Sequence, residues 1–183
     1  MQILETSRLI LREFHTDDKD RLEEVLSDPV AMRYYPAPLT RQEVEEWIAR
    51  NIDRYASDGH GLWAMVLRSS GELVGDCGLV TQDVDGAREL EIGYHVHREL
   101  WGQGLATEAA RACRDYGFSH LSVPRLISLI RPENVRSCRV AEKNGMAVAS
   151  QTMRKGLLHL VYAITREQAA RIASSQRVTE SSL

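Results

Sequence analysis

Hydrophobic positions recur along the chain with two periods, and each switch between them marks an element. Residues 9–14 carry a strand-like run, and residues 17–27 follow with helical spacing that sets Leu22, Val25 and Leu26 on one face. Thr16 stands where an N-cap is expected. Residues 28–38 break the pattern with prolines and aromatics. Thr40-Arg41-Gln42-Glu43 then reads as a capping box for a helix running to about residue 56. Two apolar runs, 62–67 and 73–80, are joined by Ser69-Ser70-Gly71, a hairpin signal. A turn at residues 83–86 leads into a strand over 89–96, and a helix is predicted from about 106 to 119. A strand at 125–130 and a helix over 134–144 follow, with Asn134 as its cap and Gly145 just past its end. Runs 148–153 and 157–165 form a last hairpin around Lys155-Gly156. A short helix is predicted over 166–173, and the polar tail 174–183 is expected to fray.

Helices and strands in this mixed order predict an α+β fold: a mixed, mostly antiparallel central sheet with helices on both faces. No repeat or linker divides the chain, so its 183 residues are expected to form a single domain with a core over about 6–165. Composition changes this picture little. The chain is 43% hydrophobic and 27% charged, and its net charge of -3 offers no footprint for nucleic acid. Cys77, Cys113 and Cys138 are dispersed and odd in number, which predicts reduced thiols in a cytoplasmic protein rather than a disulfide framework or a zinc site. The first residues lack the pattern of a secretory leader, and no run approaches the ~18 apolar residues of a membrane span, so no membrane association is expected.

The most informative local feature is Trp101-Gly102-Gln103-Gly104-Leu105-Ala106-Thr107. It joins a strand to a helix, and its two glycines let the backbone turn sharply. The helix that follows leaves its first N–H groups without intrahelical partners, at the positive end of its dipole, which suits a phosphate. Two common nucleotide motifs are disfavoured by the residues. A dinucleotide fingerprint needs a third glycine where Thr107 stands, and a nucleoside-triphosphate loop needs a lysine that this turn lacks.

The order of four segments adds specificity: Glu91-Ile92-Gly93-Tyr94, the glycine turn through Ala109, Asn134-x-x-Ser137, and Glu142-Lys143-Asn144-Gly145-Met146. Together they resemble the GNAT acetyltransferase superfamily. With Thr6-x-Arg8-Leu9-x-Leu11-Arg12 and Ser27-Asp28-Pro29-x-x-Met32, they resemble more narrowly its ribosomal-protein (RimJ/RimL-type) branch. The resemblance spans about residues 6–165. It implies acetyl-coenzyme A as cosubstrate, no metal, and a primary amine as acceptor. That acceptor is first of all a protein N-terminal α-amine and alternatively a small molecule such as an antibiotic, polyamine or amino acid. A non-catalytic acyl-coenzyme A sensor of the same fold is the rival from another class, and either a monomer or a homodimer is compatible with the sequence.

On that resemblance, the amides from Trp101 to Thr107 hold the pyrophosphate. Those of Tyr94, His95 and Val96 serve the thioester and pantetheine, where such donors stabilise a developing oxyanion. Glu91 matches the family position that takes the ammonium proton. Glu89 and His95 share its strand face and are rival bases. The tyrosine that often protonates the departing thiolate is replaced by Ala141, leaving Ser137 as the candidate acid, while Asn134 contacts the pantetheine arm. Cys138 lacks an adjacent base, so a direct attack without an acetyl-enzyme is expected. Met32, Tyr34, Tyr35, Pro36 and Trp47 are candidate walls of the acceptor pocket, with core packing as their alternative role.

Overall fold

The computed structural model describes the backbone of residues 1–180 and side chains as far as residue 174. Its strands are β1 (Gln2–Glu5), β2 (Leu9–Arg12), β3 (Leu62–Leu67), β4 (Leu73–Val84), β5 (Ala87–Val96), β6 (Arg125–Ile130), β7 (Ala147–Arg154) and β8 (Leu157–Thr165). The helices are α1 (Lys19–Leu26), α2 (Arg41–Ser57), α3 (Leu105–His120), α4 (Val135–Lys143) and α5 (Arg166–Glu180). The strands hydrogen-bond in the order β1-β2-β3-β4-β5-β6-β8-β7. The β5–β6 pair is parallel, with Glu91 opposite Ile127, whereas β1–β2, β2–β3, β3–β4, β6–β8 and β7–β8 are antiparallel. This is the mixed α+β sheet the sequence predicts.

Several boundaries differ from the sequence expectations. Strand β1 was not expected; it is an edge strand of four residues with exposed ends, so no apolar alternation announces it. Thr16 does not cap the first helix. It lies in a short 3-10 turn whose entry is held by Asp18, which accepts a hydrogen bond from the His15 N–H at 2.8 Å and pairs with both terminal nitrogens of Arg12 at 2.7 Å. The turn expected over 83–86 contracts to Asp85-Gly86, with φ of 52° and 82°, so that β4 continues to Val84. Left-handed backbone at both central residues matches the twist of a tight hairpin. Helix α5 extends through most of the tail expected to fray, and residues 181–183 lie outside the described residues.

Two compact units make up the chain: residues 1–80 with 92–113, and residues 81–91 with 114–183. In the first, strand β3 is buried on both sides. Leu62, Ala64 and Val66 pack with Leu22, Val25 and Leu26 of α1, and with Val44 and Ile48 of α2. Each fully buried Leu here contributes about 1.5–3 kcal/mol relative to an exposed one. Trp63 points to the opposite side, and its partner across the ladder, Cys77, meets Cys113 of α3 with sulfurs 3.5 Å apart. Helices therefore cover both faces of this unit's sheet. Burial pushes the Cys77 thiol well up, so it serves as a packed apolar group.

In the second unit, Ile127 and Leu129 of β6 pack with Val84, Val161 and Ala163. The other face of β6 carries Ser128, whose hydroxyl meets the Met146 sulfur at 3.7 Å. Helix α4 ends in a glycine stop: the Gly145 N–H bonds the Glu142 carbonyl at 2.9 Å and the Met146 N–H bonds the Ala141 carbonyl at 3.0 Å. Gly145 has a φ of 83°, and a Cβ there would stand 2.4 Å from Ile172 Cδ1.

Candidate functional site

In the first unit, the glycine turn leaves β5 through a short 3-10 turn, Arg98–Leu100, and enters α3. Gly102 and Gly104 have φ of 81° and 82°, which L side chains adopt only with strain. The Gly104 carbonyl accepts the first helical bond, from the Glu108 N–H at 3.0 Å, so the amides of Leu105, Ala106 and Thr107 have no intrahelical acceptor. A Cβ at Gly102 would meet nothing within 4 Å, and one at Gly104 only Arg8 Nη2 at 3.6 Å. Both glycines thus have room where a Cβ would stand.

Two side chains fix this backbone. The Trp101 indole N–H donates to the Val96 carbonyl at 2.8 Å, tying the turn to the end of β5. Arg8 donates to the Gln103 carbonyl at 2.8 Å and, through Nε, to the Glu108 carboxylate at 2.6 Å. Glu108 also accepts from the hydroxyls of Thr6 and Ser7 and from the Arg8 amide, at 2.6, 2.9 and 2.9 Å. Burial alone would raise the Glu108 carboxyl, but these donors outweigh it and hold the group at about 2. The Thr6-x-Arg8 signature near the start of the chain is therefore a brace for the turn about a hundred residues later.

A second cluster in this unit surrounds His95. Its Nδ1 lies 2.7 Å from Asp76 Oδ1, and its Nε2 lies 2.7 Å from the Tyr35 hydroxyl. Asp76 is 0% exposed, and its other oxygen accepts from the Trp47 indole N–H at 2.9 Å. A carboxylate only accepts, so Nδ1 carries a proton; in the neutral imidazole Nε2 then accepts from the Tyr35 hydroxyl. Trp47 meets the His95 ring edge-on, with centroids 5.6 Å apart. Room for this arrangement comes from Gly75, where a Cβ would lie 2.0 Å from the His95 carbonyl oxygen. Of the expected acceptor-pocket residues, Tyr35 and Trp47 join this cluster. Tyr34 is half-buried and accepts a hydrogen bond from Arg33 at 2.7 Å, Pro36 is exposed, and Met32, 1% exposed, packs in the core beneath the loop. The loop itself is folded by Asp28, which accepts from the amides of Val30 and Ala31 at 2.7 and 2.9 Å and from Arg98 at 3.0 Å.

The second unit holds the remaining candidates. Glu91 accepts from Gln82 Nε2 at 2.7 Å and from the Leu129 N–H of β6 at 3.1 Å, so both of its oxygens are engaged. Gln82 is oriented in turn by Arg154 at 2.9 Å. Glu89 is committed to a two-point ion pair with Arg125. Asn134 caps α4, accepting from the Ser137 N–H at 3.3 Å, and Ser137 is half-buried in the first turn. Cys138 is buried beside the Tyr162 hydroxyl, which burial pushes well up.

The cluster around His95 is what sequence reasoning missed as a unit. Its members come from a loop, α2, β4 and β5, and no local spacing links them. One signal was present: Asp76 interrupts the otherwise apolar run 73–80, and a charge in such a place needs partners. Among the described residues, no group of three or more His, Cys, Asp or Glu side chains could hold a metal ion, and no helix is long and apolar enough to cross a membrane.

The fold is that of an acyltransferase of the coenzyme A-using kind. Residues 8–147 match the acetyltransferase (GNAT) domain model, and the chain belongs to the GNAT acetyltransferase family. It is 40% identical over 153 residues to the uncharacterized protein YkkB of Bacillus subtilis, covering 83% of this chain and 88% of that one. A crystal structure of a GNAT-family acetyltransferase from Bacillus anthracis superimposes with a TM-score of 0.77 at 28% identity, over 91% of this chain and 99% of that one. Similarity to the spermidine N(1)-acetyltransferase of Escherichia coli is 32% over 87 residues, covering 42% of this chain and 47% of that one. The ribosomal alpha-N-protein acetyltransferase RimL, solved in complex with coenzyme A, shares the fold with a TM-score of 0.71 at 19% identity, over 90% of this chain and 98% of that one.

Proposed function

We propose that this chain transfers the acetyl group of acetyl-coenzyme A directly to a protein N-terminal α-amine. The observation that carries the reading is the braced turn at the start of α3. Two left-handed glycines, the amides of Leu105 to Thr107 and the Arg8–Glu108 clamp make a stiff donor surface suited to a pyrophosphate. Stiffness matters because a preformed donor set loses little freedom when its ligand arrives. Bound acetyl-coenzyme A supplies an activated thioester. The chain's part is to present amides of Tyr94, His95 and Val96 to that group and to remove a proton from the amine. Asn134 and Ser137 are assigned the pantetheine and sulfur by family resemblance; a Ser137 hydroxyl serves there as a hydrogen-bond donor. No acetyl-enzyme is invoked: burial pushes the Cys77 thiol well up, and Cys138 is buried beside the Tyr162 hydroxyl.

A small-molecule amine is the second reading, favoured by the partial similarity to a spermidine acetyltransferase. The two separate in an acceptor screen with mass-spectrometric detection. N-terminal peptides acetylated at the α-amine, with polyamines at least 100-fold slower in kcat/KM, support the first reading. The reverse ranking overturns it. Ser137→Ala is expected to lower kcat about 10-fold with unchanged cofactor affinity, roughly the worth of one lost hydrogen bond.

A further inference from the structure

We propose that Tyr35, His95 and Asp76 form the proton-accepting relay for the acceptor amine. This inference rests on the acetyltransferase reading above and names the base within it. Asp76 is wholly buried and fixed by the Trp47 indole; it holds His95 Nδ1–H at 2.7 Å, and in the neutral ring Nε2 is the acceptor toward the Tyr35 hydroxyl at 2.7 Å. Exposure rises along the chain: Asp76 0%, the His95 side chain 11%, Tyr35 43%. One end is thus sealed in the core and the other lies at the surface.

The transfer balances without any further reactant. The Tyr35 hydroxyl gives its proton to His95 Nε2 as its oxygen takes one from the substrate ammonium. The products are a neutral amine, an intact phenol and an imidazolium facing the Asp76 carboxylate. The neutral amine then uses its lone pair on the thioester. Tyr35 is the group placed against substrate, whereas His95 and Asp76 act through it. Beside the relay in the first unit lie Trp47, with Arg50 over its indole at 5.8 Å, and Tyr55, whose phenol is pushed up chiefly by burial and further by Asp76.

The relay also bears on substrate class. Imidazoles ordinarily titrate near 6.5, α-amines near 7.8 and alkylamines near 10.4. Handing a proton to an imidazole is therefore uphill by roughly 20-fold from an α-ammonium and by about 10⁴-fold from an alkylammonium. A histidine relay suits the α-amine.

The competing base is Glu91, whose oxygens already serve Gln82 and Leu129. The test is the pH profile of kcat/KM for a fast peptide acceptor, followed by thiol release, with acetyl-coenzyme A affinity measured by calorimetry in parallel. His95→Gln is expected to lose about 10²-fold in kcat, and its acid limb, with parental cofactor affinity. Asp76→Asn should move that limb to lower pH, because an imidazolium without its carboxylate gives up its proton more readily. Tyr35→Phe, an exposed change that leaves folding alone, should lower kcat at least 10-fold with little change in cofactor affinity. NMR titration of the parent should give His95 the pKa of the acid limb. A parental profile in His95→Gln and Tyr35→Phe, with the limb lost only in Glu91→Gln, overturns the relay while leaving the acetyltransferase reading intact. Failure of the parent to bind acetyl-coenzyme A overturns both.

Discussion

Thr6, Ser7 and Arg8 converge on the single carboxylate of Glu108, and through Arg8 the same group reaches the Gln103 carbonyl. A carboxylate with this many donors is stabilised in its charged form, which is why its titration falls from 4.5 to about 2. The sign of the linkage follows. With the folded-state value depressed, the clamp contributes its full stability above about pH 4.5, and that contribution is lost as pH falls toward 2. Glu108→Gln is expected to destabilise the protein at pH 7 by about 1–3 kcal/mol, and the difference from the parent should narrow at pH 3, as read by urea unfolding. It should also weaken acetyl-coenzyme A binding without moving the acid limb of the rate profile. A variant as stable as the parent at pH 7 would show that the brace is ornamental.

Elements set the limits of what the residues disclose. Strand β3 and helix α2 were legible because apolar runs and a capping box are local signals, and Thr40 caps α2 with Glu43 as read. The glycine turn was legible for the same reason: its two left-handed glycines and the start of α3 lie in a few consecutive residues. Strand β1 and the cap at Asp18 were not, and the turn read over 83–86 was placed without its two-residue length at Asp85-Gly86. Each is decided by a partner elsewhere: β2 for β1, the twist of the flanking strands for the hairpin, and Arg12 for the cap. The relay is the extreme case, since Tyr35, Trp47, Asp76 and His95 share no period. Gly75 of β4 shows how close the elements lie there, with 2.0 Å from a built Cβ to the His95 carbonyl oxygen. Gly75→Ala should push β5 away, cost about 2 kcal/mol or more, and lower activity by disturbing His95 rather than the phosphate turn. Its readout is an altered His95 NMR signal alongside near-parental cofactor affinity.

At the scale of the whole molecule, the chain belongs to a family in which one fold serves many acceptors, so the fold names the donor better than the amine. The net charge is -3, and Asp20, Glu23, Glu24 and Glu45 of α1 and α2 are engaged in ion pairs with Arg41, Arg21 and Lys19. The exposed Tyr35, itself part of the relay, and the half-buried Tyr34 sit on a loop folded by Asp28. The most direct test of the central claim is calorimetric titration of the purified chain with acetyl-coenzyme A, coupled to a thermal melt. The account predicts micromolar binding that is lost in a Gly102→Pro, Gly104→Val variant, and a melting temperature that rises with ligand concentration. No binding by the parent chain, or equal binding by that variant, would contradict it.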